Sequence, residues 1–389
     1  MRSDTRLVHA GRNPQAHAGA VNPPVYRVST VIHPSVAHME ESGKTPYEGL
    51  VYGRYGTPTS WAVEEAVAEM EGGFRAIAMP SGLAAITGAL SAVLKAGDHL
   101  LVTDSVYFPT RRYCDTILSG LGIETTYYDP LISAGIATLM KPNTKAVFVE
   151  SPGSLTFEIQ DVPAIAEAAH AMGALVLMDN TWGTPLFFKP FAKGVDLSLQ
   201  AATKYIVGHA DAMLGFITAK DEALWLRVKT HVASLGHSAG SEECYLGHRG
   251  LRTLSVRLER HQENAILLAT WLKRRPEVLR VLHPALPEDP GHALWKRDFL
   301  GSCGLFGFVL RDVPKAAVDA LLDRLELFGR GYSWGGYESL AIPCDSGIKR
   351  TATRWAPGGS TLRLHVGLED PDDLIRDLEK GLRALTGGV

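Results

Sequence analysis

The chain has 389 residues, of which 46% are hydrophobic and 21% charged, an ordinary globular composition with room for a large core and a second domain. Its formal net charge of -3 excludes an electrostatic footprint for nucleic acid or an anionic membrane, so we expect a small-molecule partner. The four cysteines form no C-x-x-C pair, and the N-terminus lacks the apolar stretch of a signal peptide. We therefore expect a cytoplasmic protein with neither a disulfide framework nor a metal site.

Residues 1–56 are rich in Gly, Pro and Tyr and show little periodicity. This composition predicts extended segments and turns that reach across a surface. The pattern changes at Ser60, which we expect to cap a helix that has Glu64 in its first turns and ends at Gly72 and Gly73.

Strand and helix patterns alternate between residues 57 and 249. Short apolar or β-branched runs predict strands at "HLLVTDSVY", "IETTYYD", "KAVFVESPG", "ALVLMDN" and "LGFITAK". Residues 76–94 predict a strand, a tight turn and a buried helix, and "VPAIAEAAHAMG" predicts an amphipathic helix. This alternation is typical of an α/β domain built around a mostly parallel sheet.

The pattern shifts to longer helices between residues 250 and 389. The first helical segment is "LRTLSVRLERHQENAILLATWLKRR", and "PKAAVDALLDRL" and "PDDLIRDLEKGLRAL" follow it. The runs "LFGFVL" and "STLRLHVGL" predict strands between these helices. We expect a smaller α+β domain here.

Two polar residues in the α/β domain lie where a ligand is expected. Open α/β sheets bind ligands beyond the carboxyl ends of their strands, and Asp179 directly follows the run "ALVLM". Asp179 is either a turn residue or a carboxylate kept ionised beside a cationic heterocycle. Lys204 lies among small residues in "QAATK". It is either a surface lysine or a desolvated amine whose lowered pKa makes it a nucleophile able to form a Schiff base.

Other residues could bind the remaining parts of a ligand. Ser81, Gly82 and Leu83 end a strand-like run and open a helix; this turn is either a simple N-cap or a phosphate site made of free backbone N–H groups. The Thr203 hydroxyl is a candidate second phosphate ligand. Tyr107 lies just past another strand, where it is either a core or rim tyrosine or a ring that stacks on a flat cofactor.

Arg363 alternates with Leu362 and Leu364 in "TLRLHVGLE", so on a strand its side chain faces away from these leucines. It is either an exposed strand residue or a bidentate ligand of a substrate carboxylate. Other ligand motifs fail, because "GLGIET" lacks the third glycine of a dinucleotide fingerprint and "SGKT" lacks the upstream glycine of a P-loop. A phosphate-binding turn, an acid after a strand and a later lysine among small residues together indicate a pyridoxal phosphate site.

These motifs, in this order, resemble the Cys/Met-metabolism family of pyridoxal phosphate (PLP)-dependent enzymes. The likeness covers nearly the whole chain, from "VNPPVYRVSTV" through "YGRYGTPT", "PSGLAAI", "ESPGSLTFEIQDVPAI" and "QAATKYIVGHADAMLG" to "SWGGYESL" and "LRLHVGLEDPDDLI". It implies an α/β protein of the aspartate aminotransferase-like fold, fold type I. The implied parts are an N-terminal segment at 1–56 that contacts a neighbouring subunit, a PLP-binding domain with a mostly parallel seven-stranded sheet at 57–249, and an α+β domain at 250–389.

The resemblance also implies a role for each candidate residue. Lys204 would hold the cofactor as a Schiff base, Asp179 would pair with the pyridine nitrogen and Tyr107 would stack on the ring, so these three form the expected catalytic group. The expected phosphate-binding residues are Ser81, Gly82, Leu83 and Thr203, with Tyr52 and Arg54 supplied by a neighbouring subunit. The expected substrate-binding residues are Arg363 for the α-carboxylate, Ser333, Trp334 and Tyr52.

The implied activity is cleavage of the Cβ–S bond of L-cystathionine to homocysteine, pyruvate and ammonia in methionine biosynthesis. Trp334 in "SWGG" favours Cβ chemistry, since relatives that act at Cγ tend to have "SLGG". Ala201 stands where many members have Ser, and Ser154 where many have Asn, so one polar contact is in doubt at each position. The family also implies a homo-oligomer, at least a dimer and usually a homotetramer.

Alternative functions stay open at this point. Within the same family they are a γ-lyase or γ-synthase, a broader cysteine-S-conjugate β-lyase, or a side racemase activity. The keto product distinguishes β- from γ-elimination, because the first gives pyruvate and the second 2-oxobutyrate. A regulatory protein that reuses the fold is the alternative from another class, and it would keep its role without Lys204.

Overall fold

The computed structural model describes residues 1–386, and its centre is a seven-stranded sheet in the order β1-β7-β6-β5-β4-β2-β3. The strands are β1 Arg75–Met79, β2 His99–Thr103, β3 Glu124–Tyr128, β4 Thr144–Glu150, β5 Leu175–Asp179, β6 Leu197–Gln200 and β7 Gly215–Ala219. Adjacent strands are parallel except where β7 pairs with β1 and β6. The expected mostly parallel seven-stranded sheet is confirmed.

The sheet is covered on both faces, which explains its apolar strand sequences. All residues of β2 and β7 are buried, as is typical of strands between two layers of helices. Because β2, β4, β5 and β6 run parallel, their carboxyl ends lie at one edge of the sheet. We call this the carboxyl edge, and β5 ends there at Asp179.

Seven helices accompany these strands among the described residues: α3 Pro58–Glu71, α4 Gly82–Val93, α5 Phe108–Tyr113, α6 Val162–Ala171, α7 Thr184–Phe187, α8 Glu222–Ser234 and α9 Ser241–Leu251. The prediction that Ser60 caps α3 is wrong, because the helix begins one turn earlier. Thr57 is the N-cap, and Thr57 and Ser60 exchange hydrogen bonds between side chain and backbone in a capping box. The helix ends as predicted at Gly72, which has a φ of 80°.

Residues 1–56 are less extended than predicted, since they include α1 Ser3–His9 and α2 Val36–Lys44. Helix α1 forms because Leu7 is buried against the main core at 1% exposure. Helix α2 has no buried residue and is instead capped by Ser35, whose side chain accepts a hydrogen bond from His38 N at 3.1 Å. The rest of the segment is largely irregular.

A second, four-stranded antiparallel sheet has the order β10-β11-β9-β8. Its strands are β8 Val278–Leu282, β9 Leu305–Leu310, β10 Leu340–Pro343 and β11 Thr361–His365. The helices of this part are α10 Leu254–Leu272, α11 His292–Asp298, α12 Lys315–Asp323 and α13 Pro371–Arg383. The sequence patterns predicted β9 and β11 but not the short strands β8 and β10. Within residues 1–386, no helix has the length and apolar character needed to cross a membrane.

Candidate functional site

Lys204 lies four residues beyond β6, at the carboxyl edge. Its Nζ donates a hydrogen bond to Ser333 Oγ at 2.5 Å and lies 5.4 Å from the ring centroid of Trp334. Burial and the nearby Arg363 charge lower the pKa of Lys204 to about 8, against the opposing effect of Asp179. An amine with this pKa is a far better nucleophile at neutral pH than an exposed lysine.

Asp179 ends β5 and is fixed by the residue two positions on. Its Oδ1 accepts hydrogen bonds from Thr181 N at 3.0 Å and Thr181 Oγ1 at 2.6 Å. Burial raises the pKa of Asp179, while the Thr181 hydrogen bonds and the Lys204 charge oppose the increase. Thr181 engages only one carboxylate oxygen, so the other can pair with a cation. A cationic ring there would favour the ionised carboxylate.

The N-terminus of α4 packs against the segment that carries Lys204. Ser81 caps the helix and accepts a hydrogen bond from Ala84 N at 3.1 Å. A side chain at Gly82 would place its Cβ 2.4 Å from Ala201 Cβ, so only glycine allows this approach. The N–H groups of Gly82 and Leu83 lie in the first turn, where a helix offers them no acceptor of its own. Together these features are suited to an anion at the carboxyl edge.

The Thr203 hydroxyl, the expected second phosphate ligand, is bound to the backbone of Leu214. Thr203 Oγ1 donates to Leu214 O at 3.1 Å and accepts from Leu214 N at 3.0 Å. Its single proton is therefore given to a backbone carbonyl. The hydroxyl must rotate before it can donate to a phosphate.

Tyr107 is held at the same edge through a residue that the sequence analysis did not identify. Its side chain is 43% exposed, and its backbone N–H donates to Glu150 Oε2 at 2.7 Å. Glu150 ends β4 in register with Asp179, and burial together with the Asp179 charge raises the pKa of Glu150. The signal that could have identified Glu150 is its place at the end of the run "KAVFVE", which matches that of Asp179 after "ALVLM".

Arg363 lies on β11 with Leu362 and Leu364 buried on the opposite face, as the alternation predicted. Arg363 Nη2 donates to Ser333 O at 2.9 Å. Ser333 therefore contacts both Arg363 and Lys204. Its φ of 80° is a left-handed conformation that is uncommon outside glycine, and such strain clusters at ligand sites.

Tyr52 and Arg54 are not brought to Lys204 within one chain. Arg54 donates to Ala233 O, and its guanidinium lies 4.6 Å from the centroid of the Tyr55 ring. Tyr52 and Arg54 line a separate pocket of about 370 Å³, and the described residues around that pocket include none of the carboxyl-edge candidates.

The remaining candidates converge and fit pyridoxal phosphate. A helix N-terminus with free N–H groups suits the phosphate, the part-buried Asp179 suits the pyridine nitrogen, and the Lys204 amine suits the aldehyde. The exposed ring of Tyr107 is available for stacking. No group of three or more potential metal ligands is found within residues 1–386. The fold and the site together define a PLP-dependent enzyme of fold type I.

Comparison with known proteins gives the family. The family model of Cys/Met metabolism PLP-dependent enzymes matches residues 4–383, and the chain belongs to this family. Cystathionine beta-lyase of Escherichia coli is 43% identical over 385 residues, which cover 97% of each chain. Cystathionine gamma-lyase of Homo sapiens is 35% identical, with 98% of this chain and 93% of that protein covered.

A solved structure agrees with the fold. The crystal structure of cystathionine gamma-lyase from Lactobacillus plantarum, complexed with L-serine, has a TM-score of 0.90 and 31% sequence identity. The match covers 99% of this chain and 100% of that chain. The expected fold type I architecture is therefore confirmed over nearly the full length.

Proposed function

We propose that this protein is a PLP-dependent carbon–sulfur β-lyase that cleaves L-cystathionine to homocysteine, pyruvate and ammonia in methionine biosynthesis. The observation that carries the proposal is the 2.5 Å contact between Lys204 Nζ and Ser333 Oγ, beside Trp334. It places a nucleophilic amine next to the loop whose backbone also binds Arg363. The higher identity to a beta-lyase (43%) than to a gamma-lyase (35%) supports the same choice.

Each carboxyl-edge residue has a chemical task in this proposal. When bound, the cofactor supplies a conjugated ring that accepts the electrons of the substrate Cα–H bond. Lys204 Nζ takes the Cα proton and delivers a proton to the leaving sulfur, and a pKa of about 8 suits both transfers near neutral pH. Asp179 would keep the ring nitrogen of the bound cofactor cationic, and Tyr107 would cover one face of the ring.

Binding of the substrate and of the phosphate involves separate groups. Arg363 binds the substrate α-carboxylate as a bidentate ligand, and Ser333 and Trp334 line the same end of the site. The N–H groups at the start of α4 would bind the phosphate of the cofactor. The residues involved would be Ser81, Gly82, Leu83 and, after rotation of its hydroxyl, Thr203. Ala201 contributes only a methyl group that packs against Gly82.

Tyr52 and Arg54 require a second copy of the chain. Because both residues lie away from Lys204 in their own chain, we propose that residues 1–56 contact a neighbouring subunit and complete its phosphate and substrate sites. Exposed apolar side chains within this segment, Ile32 at 92% and Val36 at 68%, support such a contact. A homotetramer is the proposed assembly.

We propose that residues 57–249 and 250–389 form two domains, since the seven-stranded sheet lies within the first range and the four-stranded sheet within the second.

We also propose a cytoplasmic location for the protein, which is supported by the four free and buried cysteines. Cell fractionation tests the location directly.

The test of the reaction is the keto acid released from L-cystathionine. The β-lyase proposal predicts pyruvate in equal amounts with homocysteine, measured by chromatography after derivatisation. Release of 2-oxobutyrate and cysteine instead would mean cleavage on the γ side. If neither keto acid is formed, the lyase assignment is contradicted.

A further inference from the structure

Asp104 directly follows β2 and has a fully buried carboxylate. This carboxylate binds residues 351–353, which lie in the connection between β10 and β11. Its Oδ2 accepts hydrogen bonds from Ala352 N at 3.0 Å, Thr353 N at 2.7 Å and Thr353 Oγ1 at 2.8 Å. Its Oδ1 accepts from Thr351 N at 2.9 Å and from Arg111 Nη2 at 2.5 Å. We call these five residues the Asp104 latch.

Arg350 holds the same segment from a second direction. Its side chain is 7% exposed, and Nη2 donates to Thr156 Oγ1 and Glu158 Oε1, each at 2.6 Å. Its Nη1 donates to Thr353 Oγ1 at 3.0 Å. Thr156 and Glu158 lie in the loop after β4, so two loops at the carboxyl edge bind one short segment.

The latch joins the strand of the proposed substrate ligand Arg363 to the segment of the proposed stacking residue Tyr107. Residues 350–353 lie between β10 and β11, and β11 carries Arg363. Asp104 precedes Tyr107 by three residues. Residues 350–353 therefore connect the strand that carries Arg363 to the segment that carries Tyr107.

Electrostatic interactions with the Asp104 carboxylate restrict the movement of residues 351–353. Burial alone would raise the pKa of Asp104, but the hydrogen bonds from Thr351, Thr353 and Arg111 outweigh it and hold the pKa below its usual value. The carboxylate thus stays ionised at neutral pH, and three successive backbone N–H groups converge on it. Charge-assisted hydrogen bonds of this kind are short and directional. The segment cannot shift without leaving a buried charge unpaired.

We propose that Asp104 is a positioning residue for substrate binding. It fixes β11 against the carboxyl edge, so that Arg363 meets the substrate α-carboxylate in one orientation relative to Lys204. The inference rests on the proposed function, because it takes Arg363 as the carboxylate ligand. It goes beyond that function in naming a residue that contacts neither substrate nor cofactor.

The test compares Asp104→Asn with a matched control in the same holoenzyme. The amide keeps the size of the side chain but replaces an acceptor by a donor that opposes the backbone N–H groups. We expect KM for L-cystathionine to rise about ten- to hundredfold, because small misplacements of binding groups have effects of this order. We expect kcat and the cofactor absorption to change less than about threefold.

The control variant is Asp298→Asn. Asp298 is also buried, with a 1% exposed side chain, and it pairs with Lys193 at 2.9 Å and with Arg297. The Asp298→Asn variant should lose about as much thermal stability as Asp104→Asn, while its KM for L-cystathionine stays unchanged. An unchanged KM in Asp104→Asn, an equal KM increase in the control, or loss of cofactor absorption in parallel with KM would each overturn the proposal.

A second measurement separates this inference from the proposed function. Hydrogen exchange at residues 351–353 and along β11 reports on the latch without any catalysis, and Asp104→Asn should speed it while Asp298→Asn should not. Equal exchange in wild type and Asp104→Asn overturns the latch even if the wild type forms pyruvate. Faster exchange in Asp104→Asn, together with no pyruvate from the wild type, contradicts only the lyase assignment. If Asp104→Asn fails to fold, Thr353→Val removes one hydroxyl donor and should raise KM about two- to fivefold. No KM change in that variant overturns the proposal.

Discussion

Lys204 and Lys189 differ in their surroundings although burial lowers the pKa of each to about 8. Lys189 Nζ donates to the carbonyl oxygens of Met70 and Pro185, each at 2.6 Å. Lys204 Nζ instead donates to the hydroxyl of Ser333, in a loop that also binds Arg363. The first amine is engaged by the protein itself, and the second faces groups suited to a ligand.

The comparison shows that a lowered pKa does not by itself identify a functional lysine. Desolvation acts on both amines in the same direction. What distinguishes Lys204 is its place at the carboxyl edge, beside Asp179 and the N-terminus of α4. Variants of both lysines, and of the residues that a second subunit would supply, test this distinction.

The largest expected effect is that of removing each amine in turn. Lys204→Ala should reduce pyruvate formation by about a thousandfold or more, because it removes both the covalent anchor and the proton carrier. Lys189→Met should keep turnover within about threefold while lowering the melting temperature, since it removes only structural hydrogen bonds. Steady-state rates and thermal unfolding, measured on both variants, test this difference between the two lysines. Equal losses of activity would contradict the distinction.

The pH dependence of cofactor attachment should report the lowered pKa of Lys204. Only the neutral amine attacks an aldehyde, and its fraction rises with pH until the pKa is passed. With a pKa of about 8 instead of 10.5, the neutral fraction at pH 7 is about 300-fold larger. After removal of the cofactor, the rate at which added PLP restores visible absorption should climb up to about pH 8 and then level off. A rate still climbing at pH 10 would mean that the amine is not desolvated.

A smaller effect is expected from the residues that lie in the N-terminal segment. Arg54→Ala should reduce activity about ten- to hundredfold by weakening phosphate binding in a neighbouring subunit. Lys204→Ala is inactive for a different reason, so mixed assemblies of the two variants should contain some intact sites. Random reassembly into dimers should recover about a quarter of wild-type activity. No recovery on mixing would show that Arg54 acts within its own chain.

The order of elements along the chain was enough to predict most of the carboxyl edge. Parallel strands place their ends together, so the sequence alone associates Asp179 and the turn at Ser81 with Lys204. Glu150 ends β4 and Asp104 directly follows β2 at the same edge, but the sequence alone does not distinguish them, because a carboxylate after a strand is more often a turn residue. The hydrogen bond from Thr351 N to Asp104 spans 247 residues, and no local pattern contains such a partner.

The elements of the fold that the sequence does not predict are short. Helices Ser3–His9 and Val36–Lys44 have too few turns to show clear periodicity, and the first depends on burial of Leu7 against the core. The strand Leu340–Pro343 has four residues and ends in a proline, which argues against a strand when only the sequence is considered. Tertiary contacts, not local propensity, define these elements.

The proposed site requires that the cofactor is covalently attached to Lys204 and to no other lysine. Reduction of the holoenzyme with borohydride fixes that bond, and digestion followed by mass spectrometry locates it. The peptide containing Lys204 should carry the reduced cofactor, and the peptide containing Lys189 should be unmodified. A modification on Lys189, on a surface lysine or on no peptide at all would contradict the account.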